Sequence, residues 1–336
     1  TIGMAADVPA DISDRVIAKQ VLSHCEKPLV FCSKDLNSVR DIYVMAVTIA
    51  GSEERFRQAP TVIPLTDPIS PLTQYDPAVD KLLFCADKGI PVVHLSAPQA
   101  GSTAPATFAG TVVQGSAESL SGLVLAQLAR PGTPFVYGAF TTIMDMSTTI
   151  FSYGATETNL MIAASAQMAQ YYRLPFMGTG GCSDAKFPDP QAAAEAAMSC
   201  LSSTLSGANL IHEPGQLDHG SLASPAFMVL DNEIIHMVNQ YMRGIPLTEQ
   251  TLALEIMEKV GPGNHFLRED HTFEHFRDVW YSQLFDRTIN GQWLEQGAVQ
   301  FAERLREQVQ MVMEYQPSAL PEDVMGELNA MAKYWK

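Results

Sequence analysis

The chain has 336 residues, 46% hydrophobic and 17% charged, enough to bury one large core with or without a helical appendage. Its 21 Lys and Arg against 37 Asp and Glu give a formal net charge of −16, which repels a phosphate backbone and excludes nucleic acid as an expected partner. No run is apolar for long enough to span a membrane, no leader-like segment opens the chain, and Cys25, Cys32, Cys85, Cys182 and Cys200 contain no CxxC pair. A reduced cytoplasmic protein is expected, without a disulfide framework or structural zinc.

In chain order, short apolar runs alternate with longer amphipathic stretches. The runs are 2–6, 29–32, 62–65, 92–95, 135–139, 176–178 and 209–211, each the length of a buried strand. Between them helices are predicted over 12–25, 36–52, 77–89, 116–130, 156–172, 189–206 and 225–243, with apolar residues at helical spacing such as Leu120, Leu123, Val124 and Leu128. Such alternation means parallel strands joined by right-handed crossovers. The fold class is α/β, a (β/α)8 TIM-type barrel with seven recognisable units over 1–244. The abrupt apolar start implies a further unit upstream. A doubly wound open sheet is the alternative, without a G-x-G-x-x-G turn to support it. From 245 to 336 no strand is predicted. Helix 247–260, loop 261–272 and a mostly helical 273–335 form a C-terminal extension packed on the barrel.

In such a barrel chemistry lies on the loops after the strands. "GTGGCSDAKFPD" (178–189) has three readings: a nucleophilic loop around Cys182, a phosphate cradle lacking GK[ST], or glycines that let backbone pass close to a neighbour, with Asp184 and Lys186 as a local ion pair. His212 and Glu213 follow the last strand directly and belong at its mouth. Asp218 and His219 lie further out, where His219 is expected on a surface loop. Asp145, between Met144 and Met146, is a carboxylate in soft apolar surroundings of the kind that suits a methylated ammonium. His94 reads as a core histidine. His265, His271 and His275 lack a fourth ligand and a helical H-E-x-x-H, so no protein-bound metal is expected. Trp280 and Trp293 read as packing residues.

Taken together, "SAPQAGSTAPATFAGTVVQGSAE" (96–118), "GTGGCSDAKFPDPQAAAEAA" (178–197), "GANLIHEPGQLDHG" (207–220), "DNEI" (231–234) and "GPGNHFLREDHT" (261–272) resemble the trimethylamine methyltransferase superfamily, the amine:corrinoid methyltransferases. The resemblance covers nearly the whole chain in order. It implies a barrel enzyme that moves a methyl group from an amine to Co(I) of a corrinoid carried by a small partner protein. Archaeal trimethylamine enzymes carry pyrrolysine just before the Ser-Asp-x-Lys stretch, a slot that Cys182 fills here. Lack of pyrrolysine resembles the quaternary-amine branch, glycine betaine methyltransferase included, whose members have glycine in that slot. A quaternary ammonium leaves as a neutral amine and needs no lysine-like activation.

The resemblance implies His212, Glu213 and Asp184 as catalytic residues, with His212 a partner for a betaine carboxylate. Asp67, Asp145, Gln99, Gln114 and Cys182 are expected to bind substrate. Gly178, Gly180, Gly181, Gly263 and His271 are expected to face the corrinoid. The small corrinoid protein and further copies of the chain are the expected partners. A hydrolase or lyase using Cys182 or paired carboxylates, a trimethylamine-type methyltransferase, and a non-catalytic binder of methylated amines or corrinoid stand as alternatives.

Overall fold

The computed structural model describes residue 5 and residues 7–335. The elements run α1 (Ser13–His24), β1 (Leu29–Cys32), α2 (Leu36–Ala50), α3 (Glu53–Gln58), β2 (Val62–Thr66), α4 (Asp76–Lys88), β3 (Val92–Ser96), β4 (Gln99–Ala100), α5 (Phe108–Ala129), β5 (Phe135–Ala139), β6 (Thr142–Asp145), β7 (Ile150–Ser152), α6 (Thr156–Tyr171), β8 (Phe176–Thr179), α7 (Pro190–Leu205), β9 (Leu210–His212), β10 (Gln216–Leu217), β11 (Leu222–Ala223) and α8 (Pro225–Met242). Six helices follow: α9 (Glu249–Leu252), α10 (Leu254–Val260), α11 (Asp270–His275), α12 (Asn290–Glu295), α13 (Phe301–Glu314) and α14 (Glu322–Ala332). Side-chain caps start the longer helices: Asp35 accepts from the Ser38 N–H, Asp189 from Ala192 and Ser224 from Phe227, with Pro190 and Pro225 in the first turns of α7 and α8.

The main sheet has the order β1-β2-β3-β5-β8-β9, every neighbouring pair parallel. Chain order and spatial order coincide without reversal, so the sheet has no switch point and the doubly wound alternative is set aside. A flat sheet of six strands would hold its first and last strands about 24 Å apart. Instead the Cys32 thiol at the end of β1 is raised by burial, then by Asp67 just beyond β2 and by Glu213 just beyond β9, so both strand ends lie near it. The sheet is curled into a half-barrel.

Alternation along the strands separates two faces. Val30, Ile63, Leu65, Val93, Leu95, Val136, Phe140, Met177 and Leu210 pack together on the concave side. Leu29, Phe31, Val62, Val92 and Phe135 pack outward against α1, α2 and their neighbours. His94 is buried, with Nδ1 2.9 Å from Thr66 Oγ1 and Nε2 3.1 Å from Gln74 Nε2, a core histidine held near pKa 4 by burial.

The predicted apolar runs from 29 onward coincide with the six parallel strands. The run 2–6 lies outside the described residues apart from Ala5. Three stretches differ from expectation. Helix α5 begins at Phe108 rather than 116, the loop after β5 contains the β6–β7 hairpin, and 247–260 is broken by Ala253 at φ 54°. Beyond α8 the chain is less helical than expected, with the stretch from 276 to 289 irregular. It returns across the molecule nonetheless. Helix α13 packs on α8 beside the last strand, and α14 packs on α1 and α2 beside the first. Trp293 bonds the Val299 carbonyl, and Trp280 lies under the Arg287 guanidinium. No helix among the described residues is long and apolar enough to cross a membrane.

Candidate active site at the carboxyl end of the sheet

The concave face ends in a layer of polar and aromatic side chains. Asp67 follows Leu65 by the two-residue period of β2, and Cys32 ends β1. Thr179 pairs with His212 in the ladder, and Phe140 reaches the same level, two residues beyond the Gly138–Met177 pair. Across this layer the Phe140 ring lies 6.1 Å from the His212 ring, edge to face.

The β6–β7 hairpin folds two more rings over the layer. Phe151 and Tyr153 lie 5.3 Å apart, and each is within 6.0 Å of Phe140. Asp184 anchors this hairpin. Its carboxylate accepts from the Ser152 hydroxyl and from the N–H groups of Tyr153 (2.8 Å) and Gly154 (3.1 Å), and lies 2.9 Å from His219 Nδ1. His219 stands 6.0 Å from Phe151. It therefore belongs to this cluster and not to the outer surface loop expected from the sequence. Glu195 on α7 holds the other side of the loop, accepting from the Ser183 hydroxyl (2.5 Å) and the Asp184 N–H (2.9 Å). Lys186 pairs with Asp218 at 2.9 Å and donates to the Asp184 carbonyl, so the expected Asp184–Lys186 side-chain pair is replaced by Lys186–Asp218.

Glu213 is the central carboxylate. His212 Nδ1 lies 2.6 Å from its Oε1. Burial pushes this carboxyl up, but His212 beside it outweighs burial and holds it below the ordinary range, so it is ionised at neutral pH. The phenol of Tyr153 is driven upward by burial and then by Glu213 itself, and stays a donor. Glu213 sits at φ 83°, a left-handed conformation that costs a non-glycine residue on the order of 1–3 kcal/mol. The turn is tied from two sides. Gly215 N–H donates to Asp231 Oδ2 at 2.6 Å, and the strand-like ladder continues through Gly180 N–H to the His212 carbonyl and Ser183 N–H to the Gln216 carbonyl.

Cys182 is 1% exposed, beneath this turn. Burial and then the Glu213 charge raise its thiol well above the usual range, so it is the thiol and not the thiolate that a nucleophile requires. Asp67 is half-buried, and burial raises its carboxyl against the opposing pull of Lys81. His212 has both ring nitrogens engaged within the protein, Nδ1 by Glu213 and Nε2 by Thr179 Oγ1 at 3.1 Å.

The remaining expected site residues lie apart from this centre. Asp145 is exposed at the hairpin tip, where it accepts from the N–H and hydroxyl of Ser147 in its own turn. Gln114 on α5 donates to the Thr103 carbonyl and Glu118, and the Gln99 backbone N–H donates to the Thr103 hydroxyl. Both shape the loop after β3. The three glycines are required by the protein's own packing. A Cβ at Gly178 would meet Phe176 at 2.8 Å, at Gly180 Ile211 at 3.0 Å, and at Gly181, with φ 74°, Pro214 at 3.1 Å. Gly263 is exposed, and the His271 ring lies 4.6 Å from that of His275, tilted to it, in the C-terminal extension. No cluster of three or more potential metal ligands occurs among the described residues.

Sequence reading did not select Phe140, Phe151, Tyr153, Glu195 or Asp231. The available signal was weak: aromatics following β5 within a loop of small and hydroxyl residues. Only the hairpin and the curl of the sheet bring them to Glu213.

The whole chain, residues 1–334, matches the family model described as trimethylamine methyltransferase (MTTB). It is 35% identical over 330 residues to a trimethylamine methyltransferase of Desulfitobacterium hafniense (strain DSM 10664 / DCB-2), covering 97% of this chain and 66% of the relative. Identity to the trimethylamine methyltransferase of Methanosarcina barkeri (strain Fusaro / DSM 804) is 39% over 282 residues, 84% of this chain and 57% of the relative. A glycine betaine methyltransferase of Desulfitobacterium hafniense (strain Y51) is 32% identical over 329 residues, 96% of this chain and 68% of the relative. The chain thus spans between 57% and 68% of the length of these relatives.

Proposed function

Because the chain belongs to the trimethylamine methyltransferase family, we propose that it moves a methyl group from a quaternary methylated amine to the cobalt of a corrinoid carried by a separate protein. The six parallel strands are then the described part of a (β/α)8 barrel. The observation that carries the reading is the ionised Glu213, bonded to His212, whose ring in turn meets the Phe140, Phe151 and Tyr153 cluster through Phe140. Ring faces and a half-buried anion attract a methylated ammonium, whose charge is spread over its methyl groups and which offers no N–H for a hydrogen bond.

In this reading the corrinoid is the methyl acceptor and supplies the nucleophile; it is not a resident group of the chain. A Cβ at glycine 178, 180 or 181 would meet protein atoms, so the need for glycine at each is accounted for without the corrinoid. The work of this chain is positioning. Glu213 and the rings hold the ammonium, the hairpin anchored by Asp184 excludes water, and one N–CH3 bond is left directed outward from the mouth. The C–N bond breaks with its electron pair staying on nitrogen. A neutral amine therefore leaves, and no protein group has to deliver a proton. That balance supports a quaternary substrate, as does a buried, protonated Cys182 in the slot where archaeal trimethylamine enzymes carry pyrrolysine.

The test mixes the protein with reduced cob(I)alamin and, separately, glycine betaine, carnitine, choline, tetramethylammonium and trimethylamine, following cob(I)alamin absorbance. Consumption with a quaternary amine is expected. Consumption with trimethylamine alone would overturn the quaternary reading, and none with any amine would overturn methyl transfer.

A further inference from the structure

We propose that Glu213 selects, among quaternary amines, a cation without a carboxylate, such as choline or a simple tetraalkylammonium, over a betaine. The inference rests on the reading of the mouth as the amine site and goes on to the chemistry of the substituent that the amine carries.

Two carboxylates, Glu213 and Asp67, border the concave side at this level, and both act electrostatically on Cys32 between them. Glu213 is kept ionised by donors that belong to the protein. The side chain best placed to receive a substrate carboxylate is His212, and it is already spent. Its Nδ1 serves Glu213 and its Nε2 faces Thr179 Oγ1, so a betaine could use it only by displacing one of them.

The neighbouring ammonium groups are also held. Lys81 is 3% exposed and donates to the Ser33 carbonyl at 3.0 Å, while Lys186 is paired with Asp218. A betaine carboxylate entering beside Glu213 would meet a like charge, and among the described residues the neighbouring His212, Lys81 and Lys186 are already engaged. A hydroxyl or methyl substituent meets no such charge. The Glu213 carboxylate is held where it is by His212 Nδ1 at 2.6 Å, on a turn tied through the Gly215 N–H to Asp231.

Calorimetric binding without any corrinoid tests this. The probes are tetramethylammonium, choline, the neutral carbon isostere of choline, and glycine betaine, on wild type and Glu213→Gln. In wild type, choline and tetramethylammonium are expected to bind about tenfold or more tighter than both the betaine and the neutral isostere. Glu213→Gln is expected to weaken the two cations and to shrink their advantage over betaine to about threefold or less. Betaine binding as tightly as choline in wild type overturns the proposal, whether or not Glu213→Gln folds; an unchanged preference in a folded Glu213→Gln does so too. If no cation binds, the amine-site reading falls together with the selectivity. Choline-selective binding without cob(I)alamin consumption would leave the selectivity standing and remove only methyl transfer.

Discussion

Asp231 is a carboxyl group kept as an acid. It is fully buried on α8, and burial drives its pKa from 3.8 to about 8 against the lowering effect of the Gly215 N–H. Between those two values the folded chain holds a proton that the unfolded chain has lost. Stability from this group is thus fully present below 3.8 and is lost as pH rises through about 8. Asp231→Asn keeps an acceptor for Gly215 without the titration. Its Tm should fall less than that of wild type over that window, with a relative gain on the order of 2 kcal/mol at the alkaline end. Parallel thermal melts across pH would refute this if the two curves kept a constant separation. Cys182 offers a second residue-scale check. A buried thiol with a raised pKa should resist iodoacetamide in the folded chain while exposed Cys25 is labelled. If it is no nucleophile, Cys182→Ala should keep methyl transfer within about threefold. A loss of several orders of magnitude with the fold intact would restore the nucleophilic reading.

At the scale of elements, α5 shows why the sequence misplaced a helix start. Its first two turns and middle carry Gly110, Gly115 and Gly122, which weaken intrinsic helix preference. Packing overrides that preference, because the glycines make room for other side chains. A Cβ at Gly122 would lie 2.3 Å from the His94 ring, and one at Gly115 3.1 Å from Ser96 Oγ. Gly122→Ala should therefore destabilise the protein by about 2–3 kcal/mol, although alanine is the better helix former. Denaturant unfolding would decide it, since a gain in stability would mean that propensity wins. The β6–β7 hairpin was hidden for a different reason. Its strands of four and three residues alternate poorly, and it forms only by pairing with β4 and by hanging on Asp184.

For the whole molecule, the last helix stabilises the first unit. Leu328 on α14 is fully buried in the cluster formed by Ala18, Leu22, Leu29, Phe31 and Val39. Leu328→Ala should cost about 2–4 kcal/mol, as for other large-to-small changes in a core. Hydrogen exchange should report the loosening in α1 and α2 first. A change confined to residues beyond 320 would show that α14 merely rests on the surface.

Most of the architecture was legible in the residues because parallel strands covered on both faces must be apolar throughout, and their short runs stand out between amphipathic helices. The strand ends then fixed His212, Glu213 and Asp67 at the mouth, and the glycines after β8 announced a close approach of backbone. Which groups meet across the mouth was decided by tertiary structure alone. The Phe140 ring meets the His212 ring, His219 reaches Asp184 rather than solvent, and Lys186 finds Asp218 rather than its sequence neighbour Asp184. Sequence spacing orders contacts only within one strand or helix, whereas these depend on how far the sheet curls and on where the hairpin folds back over it.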